Sequence, residues 1–115
     1  MIGLPELEME LKVLREYAEE MYIPIIKEDT SNLLEILIKI HKPDTVLEIG
    51  TAIGFSASLI SIYSGGLSKI DTIERDYNLV YEARQNIDRF DLKDNINVIP
   101  GEASDIFSGP WSILT

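Results

Sequence analysis

Three acidic residues stand in or just behind apolar, β-branched runs: Glu48 in Thr45-Val46-Leu47-Glu48-Ile49, Glu74 closing Lys69-Ile70-Asp71-Thr72-Ile73-Glu74, and Glu102 shortly after Ile96 to Ile99. Glycines follow the first run at positions 50 and 54. Lacking a Cβ, they let the chain leave a strand sharply and bring backbone close to a ligand. A nucleotide-like ligand is the expectation. The pattern is not the dinucleotide fingerprint G-x-G-x-x-G, because Ala52 fills the middle position, and it lacks the Gly-Lys-Ser/Thr ending of a phosphate loop. Glu48 sharpens the choice. A carboxylate two residues before the turn repels a pyrophosphate, yet it attracts an ammonium or sulfonium by ~4 kcal/mol at ~4 Å and an effective dielectric of ~20, before desolvation is counted. A cationic adenosine derivative fits better than a nicotinamide dinucleotide. Glu74, 26 residues after Glu48 and 24 after Gly50, stands where an acid accepts hydrogen bonds from both ribose hydroxyls. Glu102-Ala103 stands where an adenine edge would arrive in a sheet ordered 3-2-1.

The elements that position these residues are legible from periodicity. Leu7, Leu11, Leu14, Ala18 and Met21 recur at spacings of three and four, which predicts a helix ended by Pro24. Ile23, Ile25 and Ile26 form a short extended segment. Glu28-Asp29-Thr30-Ser31 offers N-caps for a second helix bearing Leu33, Leu34, Ile36, Leu37, Ile38 and Ile40; it is apolar on most sides and is expected to be well buried. Strand 45–49 leads into a helix that Gly65-Gly66 stops, and strand 69–74 into a helix from about Tyr77 to Phe90 capped by Asp76. A third strand, 96–99, is closed by Pro100-Gly101. Strands alternating with helices predict a Rossmann-like, doubly wound parallel α/β sheet, with ligands beyond the carboxyl ends of its strands. The segments are 1–44, helical; 45–105, β-α-β-α-β; and 106–115, a tail without a clear pattern.

Composition narrows the partners. The 115 residues carry 20 Asp and Glu against 10 Lys and Arg, a formal charge of −10. The excess is even: residues 1–44 hold 10 acids and 5 bases, and so do residues 45–115. No basic patch exists to hold a polyanion. Zero cysteines exclude disulfides and thiolate-bound zinc, and fit a cytoplasmic protein. No apolar run approaches the ~18 residues of a membrane span. His41 closes the second helix, where its partial charge complements the dipole.

The stretch Val46-Leu47-Glu48-Ile49-Gly50-Thr51-Ala52-Ile53-Gly54-Phe55-Ser56 resembles the first motif of class I S-adenosylmethionine-dependent O-methyltransferases of the caffeoyl-CoA and catechol group. Thr72-Ile73-Glu74-Arg75-Asp76 is similar to that family's ribose-binding strand end, and Gly101-Glu102-Ala103 to its adenine side. Arg15 to Glu20 with Ile23-Pro24-Ile25-Ile26 is most similar to the bacterial branch that methylates 5-hydroxyuridine at the tRNA wobble position. The resemblance implies that Ile26 lines the cofactor through its backbone, that Glu48, Gly50, Thr51, Gly54 and Ser56 surround its methionine end, that Glu74 holds the ribose, and that Glu102 and Ala103 meet the adenine. The family usually has Asp where Glu102 stands, so that contact is expected to shift to the backbone at Ala103.

The family also binds a divalent metal such as Mg2+ through an Asp after the next strand and an Asp-Asn pair beyond, positions this sequence lacks. Members run to roughly twice this length, so a truncated product, inactive alone, is expected. In the family's strand order a fourth strand pairs with the first. Residues 45–49 are therefore expected to form an open apolar edge and to drive homo-oligomerisation. The methyl acceptor is tRNA or a small catechol-like hydroxyl compound. The competing readings are a non-catalytic binding or oligomerisation module and, disfavoured by Ala52 and Glu48, an NAD-dependent dehydrogenase.

Overall fold

A computed structural model describes residues 2–106, so the tail after Ile106 lies outside the described residues. The order is α1 (Leu4–Glu20), α2 (Glu28–His41), β1 (Thr45–Ile49), α3 (Phe55–Tyr63), β2 (Lys69–Glu74), α4 (Tyr77–Arg89), β3 (Ile96–Pro100) and a short α5 (Ala103–Ile106). The three strands form one parallel sheet ordered β1-β2-β3, with Glu48 opposite Thr72 and Glu74 opposite Pro100. Two right-handed crossovers running in one direction put α3 and α4 on the same face. There Val46, Ile70, Ile96 and Val98 join Ile60, Ile87 and Phe90 in the core. Outside α3, α1 buries Leu11, Leu14 and Ala18 and half-buries Leu7, whereas Met21, the last residue of the expected stripe, lies past the helix end and is 56% exposed. The matching of a parallel sheet to helices of the right spacing thus delivers all three strand ends to one rim. Among the described residues no helix is long and apolar enough to cross a membrane.

Two expectations for α2 need correction. None of Glu28, Asp29, Thr30 and Ser31 caps it. The helix begins at Glu28, with Lys27 at the N-cap making no side-chain bond, while the Ser31 hydroxyl turns back to the Lys27 carbonyl at 3.1 Å. Nor is α2 well buried. Ile38 is its one buried hydrophobic residue, whereas Leu33, Ile36, Leu37 and Ile40 are 39–70% exposed. These four form an i, i+3, i+4, i+7 stripe with no cover among the described residues.

The sheet's two edges differ. On β3, Asn95 and Gly101 bond to β2, so Val98 turns its carbonyl outward, and Arg84 Nη2 donates to it at 2.9 Å. A charged side chain thereby blunts that edge. On β1, Asp44 and Gly50 bond to β2, so Thr45, Leu47 and Ile49 direct their backbone groups outward. No strand pairs there among the described residues.

Candidate functional site

The first turn is built around positive φ. Gly50, Ala52 and Gly54 take φ of +88°, +48° and +87°. A Cβ at Gly50 would meet nothing within 4 Å, so glycine is there for its backbone conformation and leaves open space above the strand end. Gly54 lines neither of the clefts at the strand ends. It is the N-cap of α3, and a Cβ there would lie 3.5 Å from Ala83 and Ile87, so it serves the turn and the α3–α4 packing. Ala52 holds a strained conformation for a residue with a side chain. Its N–H donates to Glu74 Oε1 at 2.9 Å, and Asp76 N–H donates to Glu74 Oε2 at 3.0 Å. Glu74 therefore braces the β1 turn from the neighbouring strand. Asp76 caps α4 by accepting from Asn78 and Leu79 N–H, as its sequence position predicts.

Two clefts open along the carboxyl ends of the strands. Ile26, Glu48, Gly50, Thr51 and Ser56 line the first, with Phe55 as a wall. Gly50, Glu74, Glu102 and Ala103 line the second. They share Ile49 and Gly50, so one groove runs across the glycine turn from the 23–26 segment to α5. Eight of the nine sequence-derived residues line this groove; Gly54 stands behind it. Glu102 is exposed and Ala103 half-buried.

Glu48 is the site's unusual group. Burial pushes its carboxyl up to about 7; the bonds from Thr72 and Ser56 pull the other way, and the charge of Glu74 adds to the rise. Thr72 donates to Glu48 Oε1 at 2.7 Å, and the Thr51 and Thr72 hydroxyls lie 2.6 Å apart. Thr51, Thr72 and Glu48 thus form a buried chain in which Thr51 donates to Thr72. Sequence reasoning missed Thr72, because its reach to Glu48 depends on the register that sets residue 48 opposite residue 72. Among the described residues no three His, Asp or Glu side chains come together to hold a metal.

The parallel β-α-β-α-β unit, with a glycine turn after its first strand, matches the N-terminal part of a Rossmann-like methyltransferase fold. The family model for O-methyltransferases matches residues 5–109. The chain belongs to that family. A probable cobalt-precorrin-6B C(15)-methyltransferase of Saccharolobus solfataricus is 38% identical over 89 residues, covering 75% of this chain and 43% of that protein. A crystal structure from Staphylococcus aureus, assigned as a caffeoyl-CoA O-methyltransferase, superposes with a TM-score of 0.79 at 30% identity, over 90% of this chain and 51% of that one. An O-methyltransferase from Bacillus cereus, in complex with S-adenosylhomocysteine, does so with 0.72 at 27% identity, over 85% and 46%. The chain spans about half the length of these proteins.

Proposed function

We propose that this chain binds S-adenosylmethionine and S-adenosylhomocysteine as the cofactor part of an O-methyltransferase. The observation that carries this is the buried Glu48 carboxyl beside Gly50, where the two clefts meet. The Bacillus cereus relative's bound S-adenosylhomocysteine supports it. Glu48 would face the positive methionine end, Glu74 the ribose hydroxyls, and Glu102 with Ala103 the adenine. When bound, the cofactor supplies an electrophilic methyl on a sulfonium sulfur. The chain's own contribution is orientation, which makes an in-line transfer effectively unimolecular. The acceptor is a hydroxyl: wobble 5-hydroxyuridine of tRNA on the likeness of residues 15–26, or a small catechol-like molecule on the net charge of −10, which repels a polyanion. Isothermal titration should show S-adenosylhomocysteine binding and no NADH binding; NADH preference would replace this reading with a dehydrogenase, and binding of neither with a non-catalytic module.

The open β1 edge and the apolar stripe of α2 belong to the same proposal as a homo-oligomer surface. Across a two-fold axis, antiparallel α2 helices would bring the Leu33, Ile36, Leu37 and Ile40 stripes of two copies together. Light scattering should therefore give more than one chain per particle, and Leu37→Glu should lower that number. A stable wild-type monomer whose amides at 45, 47 and 49 exchange slowly would count against it.

A further inference from the structure

Arg15 sits on α1, away from the strand ends, half-buried in a chain with twice as many acids as bases. Yet among the described residues it pairs with no carboxylate within 4 Å. Its guanidinium is spent otherwise. Nη1 donates to the Ile26 carbonyl at 2.9 Å, Nη2 donates to the buried Ser31 hydroxyl, and the group lies 4.7 Å from the centre of the Phe55 ring. One planar fork thus joins α1, the 23–26 segment, the first turn of α2 and the first residue of α3. Ile26 and Phe55 both line the first cleft, with Pro24 and Ile25 beside them.

The segment has little else to hold it. Ile23 N–H donates to the Ala18 carbonyl at 2.8 Å, which anchors its start. Between there and Lys27, the Arg15 bond to Ile26 is the one hydrogen bond recorded to the segment among the described residues. Because the peptide unit is planar, fixing the Ile26 carbonyl also fixes the Ile26–Lys27 peptide at the edge of the cleft.

We propose that Arg15 is a positioning residue for the methionine end of the cofactor, acting by pinning the Ile23–Ile26 segment across the mouth of the first cleft. The inference rests on the cofactor reading above. It separates the two ends of the groove: the adenine and ribose side, built by Glu74, Glu102 and Ala103, has no contact with Arg15. A ligand lacking the amino-acid end should not sense the residue.

The test is isothermal titration of the 115-residue chain with S-adenosylhomocysteine and with 5′-methylthioadenosine, which keeps the nucleoside and lacks the amino acid. Arg15→Met should weaken S-adenosylhomocysteine about tenfold or more, the scale of one lost charged hydrogen bond, while methylthioadenosine changes less than about twofold. Arg15→Lys keeps the charge without the fork; it should shift the ratio of the two affinities in the same direction by less, and it serves if the Met variant does not fold. An unchanged ratio in variants that still bind, or equal weakening of both ligands, would overturn the role of Arg15 alone. Failure of the wild-type chain to bind either ligand would overturn the cofactor reading, and this inference with it.

Discussion

Glu74→Ala should weaken S-adenosylhomocysteine binding by about 10- to 100-fold, since hydrogen bonds to a charged group are worth about 1.5–3 kcal/mol and each 1.4 kcal/mol is about tenfold. Two losses combine. The carboxylate ends β2 inside the second cleft, where it would accept from the ribose hydroxyls. It also accepts from the N–H of Ala52, whose φ of +48° needs holding. Removing Glu74 therefore frees the β1 turn as well as the ribose. Glu74→Gln separates the effects. Its amide oxygen can still accept from Ala52 and hold the turn, but its NH2 group cannot accept from a ribose hydroxyl or from the Asp76 N–H, so the loss should be intermediate. Calorimetric titration of both variants measures this. Wild-type affinity in Glu74→Ala would remove Glu74 from the site.

The strands and the rim were readable because their signals are local. A β-branched run followed by glycine, an acid at a strand end and an Asx residue before a helix each act within a few residues, and β1, β2 and the Asp76 cap lie where those signals put them. What depended on tertiary neighbours was not readable. The apolar richness of α2 says that Leu33, Ile36 and Ile40 favour burial, not that a partner is present, and they are exposed. Ser31 looked like a cap, but its hydroxyl is committed to Arg15 and Lys27, a choice made by the packing of α1. Gly50 and Gly54 look alike in sequence; the difference between them, that α4 packs behind Gly54 while open space lies above Gly50, needs the fold. Thr72 needed the pairing register, and Arg15 needed the fold of the 23–26 segment.

Glu48→Gln should change stability and cofactor affinity in opposite directions. In the folded chain burial raises the Glu48 carboxyl from 4.5 to about 7. Between those values the folded state keeps a proton that the unfolded state has lost. The stability this proton provides is complete below pH 4.5 and is lost as pH rises through about 7, at most on the order of 3 kcal/mol. Glutamine stays neutral and can still accept from Thr72. The difference between the two proteins isolates Glu48 from other titrating groups: in urea melts they should match near pH 4.5, and the variant should be the more stable at pH 8. Binding has the reverse sign. A sulfonium or ammonium favours the ionised carboxylate, so wild-type affinity should rise with pH through 7, and binding should release a proton, visible as a heat that varies with the buffer's ionisation enthalpy. Glu48→Gln should bind S-adenosylmethionine more weakly at pH 8 and lose both the pH dependence and the proton release. Because Glu74 contributes to the rise, Glu74→Ala should move the Glu48 transition to lower pH. If Glu48→Gln matches wild type in stability at pH 8 and binds as tightly, Glu48 neither stores this cost nor faces a cation, and the positive end of the ligand must lie elsewhere.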